Sequence, residues 1–150
     1  MKKAQTSVEY IILVAIILVI GLVVLTLSGL FPSFSFSTEA YSSKSYWDSA
    51  MPISIVDSYQ SNSTLYLVLK NRANTIINIS SIKLVYGLNE IYSYSQNIIL
   101  FPAQTQNISI SAKSCQKSQT VFYDITFVYS TTSTENLTYR GIKPLYILCQ

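Results

Sequence analysis

The side chains able to do chemistry in this 150-residue chain are few and dispersed. Histidine is absent, which removes the commonest general base and metal ligand and the imidazole of any nucleophilic triad. Glu39, Asp48, Asp57, Glu90, Asp124 and Glu135 fall at no spacing that would set two carboxylates on one face for acid–base work. Cys115 and Cys149 cannot complete a structural zinc site by themselves, and four glycines in the whole chain leave no phosphate-cradling loop. No catalytic residue, metal or cofactor is expected, and the chain does not read as an enzyme. What remains is acceptor chemistry. Asn62-Ser63-Thr64, Asn78-Ile79-Ser80, Asn107-Ile108-Ser109 and Asn136-Leu137-Thr138 are Asn-x-Ser/Thr sequons, acceptors of N-linked glycans, where a chain of this composition would carry roughly two by chance. Asn62 and Asn136 fall in turns, and strand alternation turns Asn78 away from Ile77 and Ile79.

Glu9 is the one carboxylate with unusual neighbours. From Val8 to Leu27 it is the only strongly polar side chain, and that stretch is about the ~20 residues a helix needs to cross a bilayer. The apolar character runs round the whole helix, so the only solvents left for it are lipid or other copies of itself. Lys2 and Lys3 precede it and hold the N-terminus on the cytoplasmic side, which sends the rest of the chain outward. A carboxylate at the centre of a span costs roughly 2.5–3.5 kcal/mol, less near the interface, so Glu9 calls for a partner.

Lys3-Ala4, then Gln5, then Glu9 four residues on and a long apolar helix resemble the class III signal of archaeal type IV pilins, with Ala4 where a Gly is frequent. The resemblance implies that a prepilin peptidase cuts between Ala4 and Gln5, leaving Glu9 as the fifth residue of the mature subunit. It also implies that Glu9 meets the new α-amino group of Gln5 on a neighbouring subunit during assembly. Such a pair lets two charges leave water together and is a device of register more than of net stability. The partners implied are the membrane before assembly, the pilus assembly machinery and further copies of the chain in a helical homopolymer, an extracellular filament serving adhesion at the cell surface. The alternatives are a cell-surface binding module held by an uncleaved anchor, and a minor pilin that caps a filament.

Composition agrees with repeated self-contact. The formal charge is +3, and without Lys2 and Lys3 eight basic side chains face seven acidic ones, so there is no basic field and no nucleic-acid partner is expected. Charged residues are only 11%, so the surface is built from neutral polar groups and identical copies do not repel one another. An even pair of cysteines in an exported chain reads as a disulfide, with two buried free thiols as the alternative. Joining Cys115 to Cys149 would contribute roughly 3–4 kcal/mol in the chain-entropy model and tie down a chain end that would otherwise fray.

The elements that must position these groups follow from the period. Gly29 and Pro32 end or kink the apolar helix. Phe36, Ala40, Tyr46 or Trp47, and Ala50 then recur at helical spacing, a second helix capped by Ser37 or Thr38 with Glu39 in its first turn, or else a flexible Ser-rich linker. Tyr46 and Trp47 are expected to pack on the base of a head rather than to form a ligand platform. From Pro52 the period is that of strands: Ile53–Val56, Leu65–Leu69, Ile76–Tyr86, Ile91–Tyr94, Ile98–Phe101, Asn107–Ser111, Val121–Tyr129, Leu137–Tyr139 and Leu145–Leu148. Inward parity switches near Ser80-Ser81, which signals a bulge or a turn between two strands. The expected fold is α+β, a long hydrophobic helix followed by an antiparallel immunoglobulin-like β-sandwich, the lollipop shape of a pilin. The divisions are residues 1–4 as cleaved signal, 5–51 as helix and stalk, and 52–150 as head.

Overall fold

The computed structural model describes residues 3–27, 33–88 and 90–150, with the side chains of 8–24, 38–88 and 91–150. It divides into two compact units, Met1–Thr38 and Glu39–Gln150. The first contains α1, Lys3–Leu27, whose backbone donors and acceptors are satisfied within the helix, so that only its side chains need an apolar setting. Among the described residues no helix is long and apolar enough to cross a membrane. The expectation of a span over Val8–Leu27 is therefore not met among the described residues, and the side chains of Leu25, Thr26 and Leu27 lie outside them. The break expected at Gly29 and Pro32 lies outside the described residues.

The second helix, α2, runs from Ser33 to Ser49, so the helical alternative holds over the flexible linker. Its start corrects the expected cap. Ser37 and Thr38 lie within the helix rather than at its end, and Glu39 is beyond the first turn. Glu39, Ser43, Tyr46, Trp47 and Ala50 form the face that meets the β unit. Trp47 and Ala50 are buried there, and the Trp47 ring sits edge-on to Phe127 and Tyr139, with centroids 6.3 and 6.4 Å away. Ser43, also buried, donates to the Pro144 carbonyl at 2.7 Å and accepts from the Tyr146 amide at 3.2 Å. Tyr46 Oη accepts from the Ile142 amide and shares a 3.0 Å hydrogen bond with Tyr139 Oη. These residues are as much part of the core as the strands, which is why the compact unit starts at Glu39.

Among the described residues nine strands follow: β1 Ile53–Ser61, β2 Thr64–Asn71, β3 Ile77–Tyr86, β4 Glu90–Tyr94, β5 Ile98–Leu100, β6 Thr105–Ser111, β7 Thr120–Thr131, β8 Leu137–Arg140 and β9 Leu145–Leu148. One sheet is β1-β2-β6; in the other β3 pairs with β7, and every strand pair is antiparallel. β4 and β5 lie end to end along one side of β3, and β8 and β9 do the same along β7. The parity switch near Ser80-Ser81 is a bulge, placed by a register shift between Ile79 and Ser81 against β7. A second bulge between Ile55 and Asp57 in β1 turns Gln60 inward. Period-2 alternation supplies the core: Leu65, Leu67 and Leu69 from one sheet meet Ile77, Ile79, Ile82, Leu84, Val121, Tyr123, Ile125 and Phe127 from the other in one buried cluster.

Gly141 is required by this packing. An added Cβ would lie 2.2 Å from Trp47 Cζ2, a distance no ring can accommodate without moving. Gly141→Ala is expected to cost about 1–3 kcal/mol through overpacking, measured as the loss of unfolding free energy in urea. An unchanged midpoint would show that the indole is not seated against this turn.

Candidate functional site

The residues singled out in the sequence lie in two regions, the apolar helix and the β unit. Along α1 every described side chain is exposed, the large apolar ones from 39% at Val14 to 69% at Tyr10. Glu9 is the only charged side chain in 8–24 and is exposed too. Ile12, Ala15, Ile16, Val19 and Ile20 line a shallow, wholly apolar groove. The side chains of Ala4 and Gln5 lie outside the described residues, so only Glu9 of the expected processing and assembly set has a described position.

In the β unit Cys115 and Cys149 form a disulfide with Cα atoms 6.3 Å apart. It joins the β6–β7 connection to the residue following β9, and the same corner is stitched by backbone bonds from Ser118 to Cys149 and from Cys149 to Gln119, both 2.8 Å. Beside it lies a group that sequence reading takes for part of a turn. Gln60 is fully buried. Its Nε2 donates to the carbonyls of Asn62, at 2.9 Å, and Lys113, while its Oε1 accepts from Tyr123 Oη at 2.9 Å. Its main-chain carbonyl accepts from the Gln150 amide at 3.0 Å. One side chain thus links the β1–β2 hairpin, the β6–β7 connection and β7. Polar type and a position beside Ser61-Asn62-Ser63 conceal this role, because the bulge that turns Gln60 inward has no signature in composition.

The sequons separate by position. Asn62 and Asn136 are exposed in turns with left-handed backbone, φ 51° and 54°, a conformation asparagine tolerates better than most residues. Asn107 is exposed on β6. Asn78 is the exception: it sits in β3 between β5 and β7, and its Oδ1 is buried with no hydrogen-bond partner. The carboxylates stay dispersed. Asp48 pairs with Arg72 at 3.6 Å, Asp124 with Arg140 at 3.9 Å, and Glu39 accepts from Tyr146 Oη at 2.9 Å. Among the described residues no group of three or more His, Cys, Asp or Glu could hold a metal.

With this geometry in place, the N-terminus defines the class of protein. A cationic start leads into a long apolar helix, and residues 2–27 match the family model for the class III signal peptide. The chain therefore begins as a type IV pilin-like prepilin, and the match implies processing by a prepilin peptidase and entry into pilus assembly. No curated protein matches the chain.

Two outcomes test the closure of the β unit. Replacing both cysteines with serine is expected to lower stability by about 3–4 kcal/mol, read as a shift in the urea midpoint that reducing agent reproduces in the parent and not in the variant. The second concerns pH. Burial pushes up the Tyr123 phenol, burial and then the Tyr46 hydrogen bond raise Tyr139, and the Glu39 carboxylate followed by burial raises Tyr146. Each folded pKa lies above its unfolded value, so the contribution is complete below about pH 10 and is lost as pH rises through the folded values. The melting temperature should be flat across neutral pH and fall above about pH 10, less steeply in Tyr146→Phe.

Proposed function

We propose that this chain is a structural subunit of an extracellular archaeal type IV pilus, polymerising through its N-terminal helix and serving surface adhesion. A single observation carries the reading: the class III signal at residues 2–27 coincides with a helix exposed and apolar on every side. Cleavage between Ala4 and Gln5 removes Lys2 and Lys3 and creates a new α-amino cation at the start of the rod. The precursor waits at the membrane, and extraction then replaces lipid around the helix with sister helices. Both surroundings are apolar, so the exchange gains little hydrophobic energy, and packing plus polar pairing must set the register. Glu9 is the group positioned to do that. Held near the trimmed end of one rod, its carboxylate can accept from the α-amino group of Gln5 on the next.

The β unit forms the outer sheath in this reading. Its neutral polar exterior supports close repetition, and N-linked glycans on Asn62, Asn107 and Asn136 add to its hydration.

Intact-mass and terminal-peptide spectrometry of the native protein should find Gln5 as the first residue. A chain beginning at Met1 or Lys2 would instead support a surface binding module on an uncleaved anchor. Glu9→Ala should enter the membrane and be cut normally yet yield no filaments by negative-stain microscopy, whereas normal filaments from that variant would remove its assigned role.

A further inference from the structure

The outer face of the β1-β2-β6 sheet carries a feature that the assembly reading does not use. Tyr59 and Tyr66 stand directly opposite one another across the β1–β2 pair, and their rings are stacked with centroids 4.6 Å apart and planes 12° from parallel. That separation matches the ~4.8 Å between neighbouring strands, so the stack runs across the sheet with one ring per strand. The next strand is β6. Its residue opposite Tyr66 is Ser109, whose short side chain leaves a groove of about 270 Å³ beside the second ring. Tyr59, Tyr66, Val68, Asn107 and Ser109 line it. Both rings remain partly exposed, at 41 and 36%.

Asn107 lies opposite Val68 and Ser109 opposite Tyr66, so all four share the outer face and Asn107 is the diagonal neighbour of Tyr66. Diagonal neighbours stand roughly 7–8 Å apart, within reach of a bulky ring. Asn107 is exposed and opens the sequon that Ser109 closes. A sugar joined to Asn107 Nδ2 therefore starts one step along the strand from the groove. Pyranose rings present a face of C–H bonds, slightly positive at hydrogen, and the face of a tyrosine ring is negative. The covalent tether raises the effective concentration of sugar at that face far above what a free saccharide would reach.

We infer that the glycan on Asn107 folds back over β6 and lays its first sugar against Tyr66, extending the Tyr59–Tyr66 stack by one ring. This rests on reading Asn107 as glycosylated, and the experiment separates the two claims. The full chain, purified from cells that glycosylate it, is digested and the peptide containing Asn107 is weighed; the intact glycoprotein is then examined by carbon–proton NMR. An occupied Asn107 should come with ring-current upfield shifts on protons of its first sugar, and these shifts should vanish in Tyr66→Leu, which keeps apolar bulk but lacks a ring. Tyr66→Leu should also lower the melting temperature of the glycosylated chain by about 4 °C more than it lowers that of Asn107→Gln. An occupied Asn107 with unshifted sugar protons and additive melting effects overturns the seat and leaves glycosylation standing. A bare Asn107 overturns both.

Discussion

A helix that is apolar on every side can persist only where its whole circumference is covered, and α1 imposes that condition on the rest of the chain. Its backbone is satisfied internally, so the demand comes from side chains alone and any apolar neighbour meets it. Apart from Glu9 at its start, the stretch 8–24 presents no charged side chain to water. The remaining chemistry then has to be compatible with crowding. A surface with few charges tolerates a second copy of itself close by.

The β unit is closed by two kinds of contact that divide the work. Apolar burial between the two sheets supplies cohesion, and Trp47 extends it by bringing the end of α2 into the same cluster as Phe127. Cohesion of this kind is tolerant of small shifts. Specificity comes from buried polar groups such as Gln60 and Asn71, which find their partners in only one arrangement. Gln60 is satisfied by the hairpin tip, the β6–β7 connection and Tyr123 together. Asn71, equally buried, donates to the carbonyls of Thr75 and Leu100 and accepts from the Ala73 amide. The disulfide adds a covalent limit next to Gln60, at the corner where three segments would otherwise separate independently.

Much of this was legible in the residues. Alternation from Val121 to Tyr129 located β7 and its inward face, because one buried side of a sheet forces a period of two. The parity change at Ser80-Ser81 signalled a bulge or a turn for the same reason, and the continuous pairing of β3 with β7 makes it a bulge. The pairing of Cys115 with Cys149 followed from their being alone. The start of α2 was not legible, since Ser33, Ser35, Ser37 and Thr38 are equally plausible caps and the choice depends on what flanks them. Gln60 was concealed because inward direction after a bulge is set by pairing partners, not by local composition. The stacked tyrosines were hidden too: Tyr59 and Tyr66 are separated by a hairpin, and only the Asn62-Ser63 turn brings them face to face. Of the assembly set, what could be read was the class III pattern itself, which residues 2–27 match.

The exposure of α1 on all sides has a mechanical corollary. A rod whose apolar stripe is narrow locks to its neighbours at one angle, since rotation about its long axis would wet the stripe. One that is alike on all sides has no such preferred azimuth, so it can twist and slide among similar rods at small cost in solvation. A bundle of them would yield under tension by shear between helices rather than by unfolding, and its resistance would reside in sparse polar points at the ends of the rods.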